Sequence, residues 1–296
     1  MRVLVMGGTR FFGIGMVKRL VADGHDVTVA TRGNAPDPFG DAVNRVFFDH
    51  RSAESIRSAF CGKSYDAVID KIAFSSNDVN RVVENTDFGK YILMSTCGVY
   101  NGKYHTGIKE CEFDPYSYPL QWGERDANGG KFDYDEGKRQ AECAAAHLVA
   151  AENTVMVRYP VVMGKNDYTG RLRYYIEHII SGKPMFISNK SLHISYLYEE
   201  DAADMFADIL TTDISGPVNA CAGDGITLNE IIGYTEKKTG KTAVFDKTGD
   251  AAPYNGFEVD VSYDTSKAGK YGITFRPHKE WIYDLIDFYV NEIKDE

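Results

Sequence analysis

The stretch Arg2-Val3-Leu4-Val5-Met6-Gly7-Gly8-Thr9-Arg10-Phe11-Phe12-Gly13 decides the fold. Its first five residues form a short β-rich run, apolar from Val3 to Met6, that ends on a glycine pair. Beyond Gly13, the apolar residues Ile14, Val17, Leu20 and Val21 recur at helical spacing until Gly24 stops the pattern. The order is therefore strand, glycine-rich turn, helix. Gly7 permits a tight turn, and Gly13 lets the helix pack closely on the strand.

Working outward, the same alternation continues for about half the chain. Strands are predicted at Asp26–Ala30, Arg45–Phe48, Asp66–Ile69, Tyr91–Met94 and Thr154–Arg158. Apolar runs without polar alternation fit strands buried on both faces, and helices between them imply right-handed crossovers. The fold class is α/β: a Rossmann-type doubly wound parallel sheet with a smaller C-terminal α+β substrate cap. Beyond Pro160 the rhythm changes, with amphipathic helices over Arg171–Ile180 and Glu199–Leu210 and a closing helix bearing Trp281, Leu285 and Phe288. Residues 1–163 are read as the NAD(P)-binding unit, with 195–212 returning to it, and 164–296 as mostly cap.

A glycine turn between a strand and a helix is the context of a dinucleotide site, because the helix N-terminus offers N–H groups and partial positive charge to a pyrophosphate. The cofactor is expected to touch Gly7, Thr9, Arg10, Phe11, Phe12 and Gly13. The glycine pattern departs at its centre, where Arg10 stands. An NAD-specific site places a carboxylate at the end of the second strand. Here Thr31 and Arg32 stand there, and an arginine at that point suits a 2′-phosphate. NADP is therefore favoured over NAD. Asp49 and His50, after the third strand, are placed at the adenine.

The net charge of -10 weighs against nucleic acid as a partner. The five cysteines are odd in number and lack C-x-x-C spacing, which reads as reduced thiols and not as a disulfide framework or zinc site. Histidine spacing suggests no metal. No run approaches the roughly 18 apolar residues of a membrane span, and no signal peptide is apparent, so the expected place is the cytoplasm.

With these features the chain resembles the extended and atypical short-chain dehydrogenase/reductases, in the NAD-dependent epimerase/dehydratase group, close to bacterial relatives of chloroplast stem-loop-binding proteins. The resemblance runs through Ser95-Thr96-Cys97-Gly98-Val99-Tyr100, Tyr134-Asp135-Glu136-Gly137-Lys138, Arg158-Tyr159-Pro160 with Gly164, Asp201-Ala202-Ala203 and Ser266-Lys267. It implies Thr96, Tyr134 and Lys138 as catalytic residues. Residues four apart share a helix face, so Tyr134 and Lys138 serve one site. A nearby ammonium favours the phenolate, which can exchange a proton with a substrate hydroxyl, and the resemblance implies that Lys138 also holds the nicotinamide ribose. Tyr234/Lys238 and Tyr263/Lys267 have the same spacing but sit outside this context. Cys97 reads as a small packed thiol.

The resemblance also marks departures. Nucleotide-sugar epimerases carry an arginine about seven residues before the aspartate that matches Asp201, and here Ile194 stands there. Lys165, Arg171, Arg173 and Lys183 are the cap cations available instead. The expected enzyme is an NAD(P)-dependent epimerase, dehydratase or reductase acting on a small polar, sugar-like molecule without a nucleotide diphosphate. The alternative is a non-catalytic NADP sensor or RNA-binding protein. A homodimer is expected through the helix of Ala141, Ala144, Ala145 and Leu148, together with the helix near Val79–Glu84.

Overall fold

A computed structural model describes residues 1–34, 36–253 and 256–295. The first half alternates β1 (Arg2–Met6), α1 (Phe12–Ala22), β2 (Asp26–Thr31), β3 (Asn44–Phe47), α2 (Ala53–Phe60), β4 (Ser64–Asp70), α3 (Ser76–Asn85), β5 (Asp87–Thr96), α4 (Tyr134–Leu148) and β6 (Thr154–Tyr159). α5 (Arg171–Ser181), α6 (Glu199–Leu210), β7 (Gly216–Asn219), α7 (Leu228–Thr239) and α8 (Ile282–Asp295) follow. Every strand pair in the main sheet is parallel, in the order β7-β6-β5-β4-β1-β2-β3. The strand order reverses between β1 and β4, so their carboxyl ends open a crevice at that point.

The sheet is buried on both faces because alternate side chains feed different cores. Val3 and Val5 pack with Met16, Val17 and Leu20 of α1 and with Ala202 and Phe206 of α6. Leu4 and Met6 pack with Ile56, Val79, Val82, Ala141, Ala144 and Ala145 of α2, α3 and α4. A third core joins Tyr175 and Ile176 of α5, Ile231 of α7, and Trp281, Ile282 and Leu285 at the closing helix. α6 lies against α1: a Cβ on Gly15 would stand 3.2 Å from the Cβ of Ala203.

Two differences from the sequence reading have physical causes. β7 is a seventh sheet strand within the stretch assigned to the cap. Its four residues, Gly-Pro-Val-Asn, carry no apolar run, and proline is tolerated because β7 is an edge strand. Second, Ala141, Ala144 and Ala145 are fully buried on the chain's own sheet, so these small residues offer no surface to a second copy. Only Leu148 of that set is exposed. No helix among the described residues is long and apolar enough to cross a membrane.

One buried ion pair ties the sheet to α4. Arg158 on β6 and Glu142 on α4 have side chains wholly out of solvent, 2.6 Å apart. The guanidinium Nε also donates to Glu142, Nη1 donates to the Tyr100 hydroxyl and the Glu110 carbonyl, and Nη2 donates to the Phe113 carbonyl. Ser95 donates to Glu142, and Tyr100 donates to Asn219 on β7. All five N–H donors of the arginine are thereby used.

Removing one partner leaves the other charged and buried. Glu142→Ala is expected to lower the unfolding free energy by about 3–5 kcal/mol in urea titration, while the double replacement Glu142→Met with Arg158→Met loses less than either single change. A double variant less stable than both singles would contradict this.

Candidate active site

The crevice at the β1/β4 reversal is a cleft of about 370 Å³, lined by Gly7 to Phe12, Thr31, Arg32, Asn34, Lys71, Ile72, Phe74, Met94 and Tyr168. Gly7 and Gly8 both take positive φ, at 91° and 94°. A Cβ on Gly13 would stand 2.8 Å from the Gly8 Cα and 2.5 Å from the Lys71 Nζ, so side chains are excluded where the turn meets α1. Phe11, at the helix N-cap, has φ 52°, the only positive φ of a non-glycine among the described residues. Such a conformation costs about 1–3 kcal/mol and persists only where the surroundings impose it.

The far wall of the cleft follows from Asp70. Its buried carboxylate accepts from the Ile72 and Ala73 amides, both at 2.9 Å, and from the Tyr91 hydroxyl at 2.7 Å. This Asx-type turn presents Lys71, Ile72 and Phe74 to the glycine turn. Lys71 stands with Nζ 3.9 Å from the centre of the Phe12 ring. Burial without a counter-charge pulls its ammonium down to about 7.

The structure brings most of the expected cofactor residues together. Gly7, Thr9, Arg10, Phe11, Phe12 and Arg32 line the cleft, and Gly13 sits directly behind it. Phe12 is also a core residue, edge-on to Tyr159. Arg10 lies 5.9 Å from the Tyr168 ring, and neither Arg10 nor Arg32 forms an ion pair among the described residues. The Thr31 hydroxyl accepts from the Gly33 amide, and the nearby Asp37 carboxylate is paired with Arg45 at 2.7 Å. Asp49 and His50 lie beyond β2, outside the lining of this cleft. The Asp49 carboxylate accepts from the Arg51 amide, and the His50 carbonyl from Arg81.

On the other side of Phe74 stand the three residues expected to be catalytic. Thr96 ends β5, and its hydroxyl accepts from the Gly98 amide at 3.1 Å. Tyr134 opens α4 after the N-cap Asp133, and its ring is 6.0 Å from Phe74. Burial raises the Tyr134 phenol above its ordinary value. The Thr96 hydroxyl and the charges of Arg125 and Arg171 draw it back down, and Asp135 pushes it up. Lys138 is fully buried, donates to the Ala73 and Met94 carbonyls at 2.8 and 2.9 Å, and lies 4.3 Å from the Phe74 ring. Burial lowers it to about 8 against the raising effect of Asp70, Asp78 and Glu142. Thr96 thus stands beside the first turn of α4, where a Cβ on Gly98 would meet both Thr96 and Asp135, and the cations that act on the Tyr134 phenol are Arg125 and Arg171.

Arg125 was not legible in the sequence. Its guanidinium lies 5.0 Å from the Phe74 ring and 5.2 Å from the Tyr134 ring. Lys71 and Phe74 were missed as well, because neither belongs to a motif. The remaining features have structural partners. Cys97 is buried, which pushes its thiol well up, and it donates to the Arg158 carbonyl. Lys238 pairs with Asp287, and Lys267 donates to the Ser215 and Pro217 carbonyls. Ile194 is buried in a short strand paired with Ile226–Thr227. Of the cap cations, Arg173 is held by Glu177 and Glu292, and Lys165 lies 5.5 Å from the Phe288 ring.

Comparison with known proteins gives consistent results. Residues 3–221 match the NAD-dependent epimerase/dehydratase family. The chain is 24% identical over 269 residues to the chloroplast stem-loop binding protein of 41 kDa b from Arabidopsis thaliana, covering 80% of this chain and 67% of that one. It is 24% identical over 221 residues to 2'-dehydrokanamycin reductase from Streptomyces kanamyceticus, covering 72% and 59%. A UDP-glucose 4-epimerase from Thermotoga maritima, solved with UDP-glucose, superposes with a TM-score of 0.78 at 17% identity over 99% of this chain and 100% of that one. A UDP-glucuronic acid 4-epimerase from Bacillus cereus, solved with NAD, gives 0.73 at 18% over 100% and 99%. These structural likenesses establish the fold.

The tight approach at Gly13 is directly testable. Gly13→Ala must displace Lys71 or the turn itself, and is expected to cost about 1–3 kcal/mol of stability in a denaturant titration. An unchanged midpoint would show that the turn yields freely.

Proposed function

The chain belongs to the NAD-dependent epimerase/dehydratase family, and from that premise we propose that it binds NADP in preference to NAD and exchanges hydride with a small polar, sugar-like substrate, with Tyr134 as acid and base. The observation that carries this reading is the placement of Thr96 beside the first turn of α4, where Tyr134 stands across Phe74 from the glycine turn. The residues fit a dinucleotide. The turn has no room for a Cβ at Gly13, α1 offers its N-terminus, and Arg10, Arg32 and Lys71 add positive charge in an otherwise acidic protein.

When bound, the nicotinamide supplies the hydride chemistry. The chain supplies the proton. A phenol held above its ordinary value by burial is protonated at neutral pH, so Tyr134 donates to a substrate carbonyl oxygen and Thr96 steadies that oxygen. In the reverse direction Tyr134 is the base, and Arg125 and Arg171 favour its phenolate. Lys138 uses two N–H groups on the ends of the β4 and β5 segments, leaving one for a ribose hydroxyl.

The substrate is proposed to lack a nucleotide diphosphate, since Ile194 is apolar and buried and Arg173 is committed to Glu177 and Glu292. A second reading, RNA binding, is favoured by the likeness to the Arabidopsis stem-loop binding protein. The net charge of -10 opposes it, because affinity for RNA rests mainly on phosphate neutralisation.

Two experiments test the reading. Tyr134→Phe is expected to keep NADP affinity and to lose about 10²–10⁴-fold in turnover, assayed as NADPH consumption across a panel of ketoses and keto-glycosides. Wild-type turnover by this variant would remove Tyr134 from the role. Calorimetry should show NADP bound about tenfold or more tighter than NAD, a preference that Arg32→Ala abolishes, and no heat when UDP is added to the NADP-loaded protein. Equal affinities in the wild type, or low-micromolar UDP binding, would sink the cofactor and substrate assignments respectively.

A further inference from the structure

Several buried or half-buried lysines in this protein have an evident structural task. Lys138 donates to two backbone carbonyls, Lys267 to two and Lys90 to two. Lys71 is different. Its Nζ has no carbonyl or carboxylate partner among the described residues and rests 3.9 Å from the centre of the Phe12 ring. It also stands 2.5 Å from where a Cβ of Gly13 would be, in the first turn of α1. The positive end of a helix repels an ammonium. A partly desolvated cation held there without a counter-ion is stabilised only when an anion joins it.

We propose that Lys71 is a ligand for the pyrophosphate of the dinucleotide, clamping it against the N-terminus of α1. The assignment rests on the reading of this cleft as the cofactor site and names a contact that the glycine pattern does not contain. The 2′-phosphate is not its target, because Arg32 and Thr31 lie at the end of β2 whereas Lys71 ends β4 and faces the glycine turn.

A consequence follows for pH. In the free protein burial holds the Lys71 amine at about 7, so at pH 8 it is about nine-tenths neutral. An adjacent pyrophosphate restores the ammonium. The complex therefore holds more protons than the free protein, and raising the pH opposes binding. The charged groups around Lys71 do not mimic this. They include the guanidiniums of Arg10 and Arg32 and the Asp70 carboxylate, which is turned to Tyr91 and to two amides. Glu199, beyond Phe12, accepts from the Lys165 and Asn166 amides. Tyr168 is exposed. Lys138, across Phe74, is the other amine brought near neutrality, so substitution at 71 is needed to separate the two.

The experiment is calorimetric titration of NAD and NADP into the wild type, Lys71→Met and Lys71→Arg, at pH 8 in two buffers of different ionisation enthalpy. The wild type is expected to take up roughly 0.9 proton per site. Its affinity should fall towards tenfold per pH unit between pH 7 and 9. Lys71→Met should bind both dinucleotides about tenfold or more weakly, with most of the proton uptake gone. It should melt no lower than the wild type, since it removes a desolvated charge. Lys71→Arg should bind without that uptake. Wild-type affinity and uptake in Lys71→Met would overturn the assignment and leave the dinucleotide site standing. Loss confined to NADP would move the contact to the 2′-phosphate and overturn it too. No proton uptake by a wild type that binds would do the same, even if Lys71→Met failed to fold. A wild type that binds neither dinucleotide would overturn this inference together with the cofactor reading beneath it.

Discussion

The arrangement of the site depends on the buried pairing of Arg158 with Glu142. Two charges out of water require full satisfaction, and the surrounding chain supplies it. Ser95, Tyr100 and the carbonyls of Glu110 and Phe113 all converge on the pair. Through these contacts the end of β5, the middle of α4 and the long connection between them are held in one geometry. Through Tyr100 and Asn219 the edge strand β7 is fixed as well. Thr96 follows Ser95 directly, and Tyr134 and Lys138 lie on the helix that Glu142 anchors. The placement of Thr96 beside the start of α4 is thus tied to a salt bridge buried about two helical turns further along that helix.

The cleft shows how a local field departs from a global charge. The protein is acidic overall, yet Arg10, Arg32, Lys71, Arg125 and Arg171 gather along the open edge of the sheet and its cap. Two amines there, Lys71 and Lys138, are brought towards neutrality mainly by burial, with Arg125 adding to the effect on Lys138. They differ in how that burial is compensated. Lys138 is paid in backbone carbonyls, whereas Lys71, among the described residues, rests on the face of Phe12. A structural amine and a ligand-facing amine are distinguished by partners, which residue type and burial alone do not reveal.

Particular residues show how much was legible beforehand. The β1–turn–α1 unit could be read because its signal is local: an apolar run, two glycines, then helical periodicity. β2 to β6 and helices α5 and α6 were legible for the same reason. β7 was not, because an edge strand of four residues with a proline has no run to read. The alanines of α4 were misassigned to a partner surface because small residues permit close packing against any neighbour, and here the neighbour is the chain's own sheet. The spacing of Tyr134 and Lys138 on one helix did not reveal that the Lys138 ammonium donates to the Ala73 and Met94 carbonyls, since those acceptors come from other segments.

By itself the sequence determined the elements, their order, the glycine turn and the residue types at the sheet edge, because each is encoded within a few neighbouring positions by periodicity and backbone preference. Only the tertiary structure decided which distant side chains share the cleft. Phe74 came to lie between the glycine turn and Tyr134, Arg125 over two aromatic rings, and Lys71 against the start of α1 without a counter-ion. The reason is that desolvation and pairing are properties of a three-dimensional neighbourhood. The charge state of an amine depends on what surrounds it, and those surroundings come from four or five separate segments of the chain.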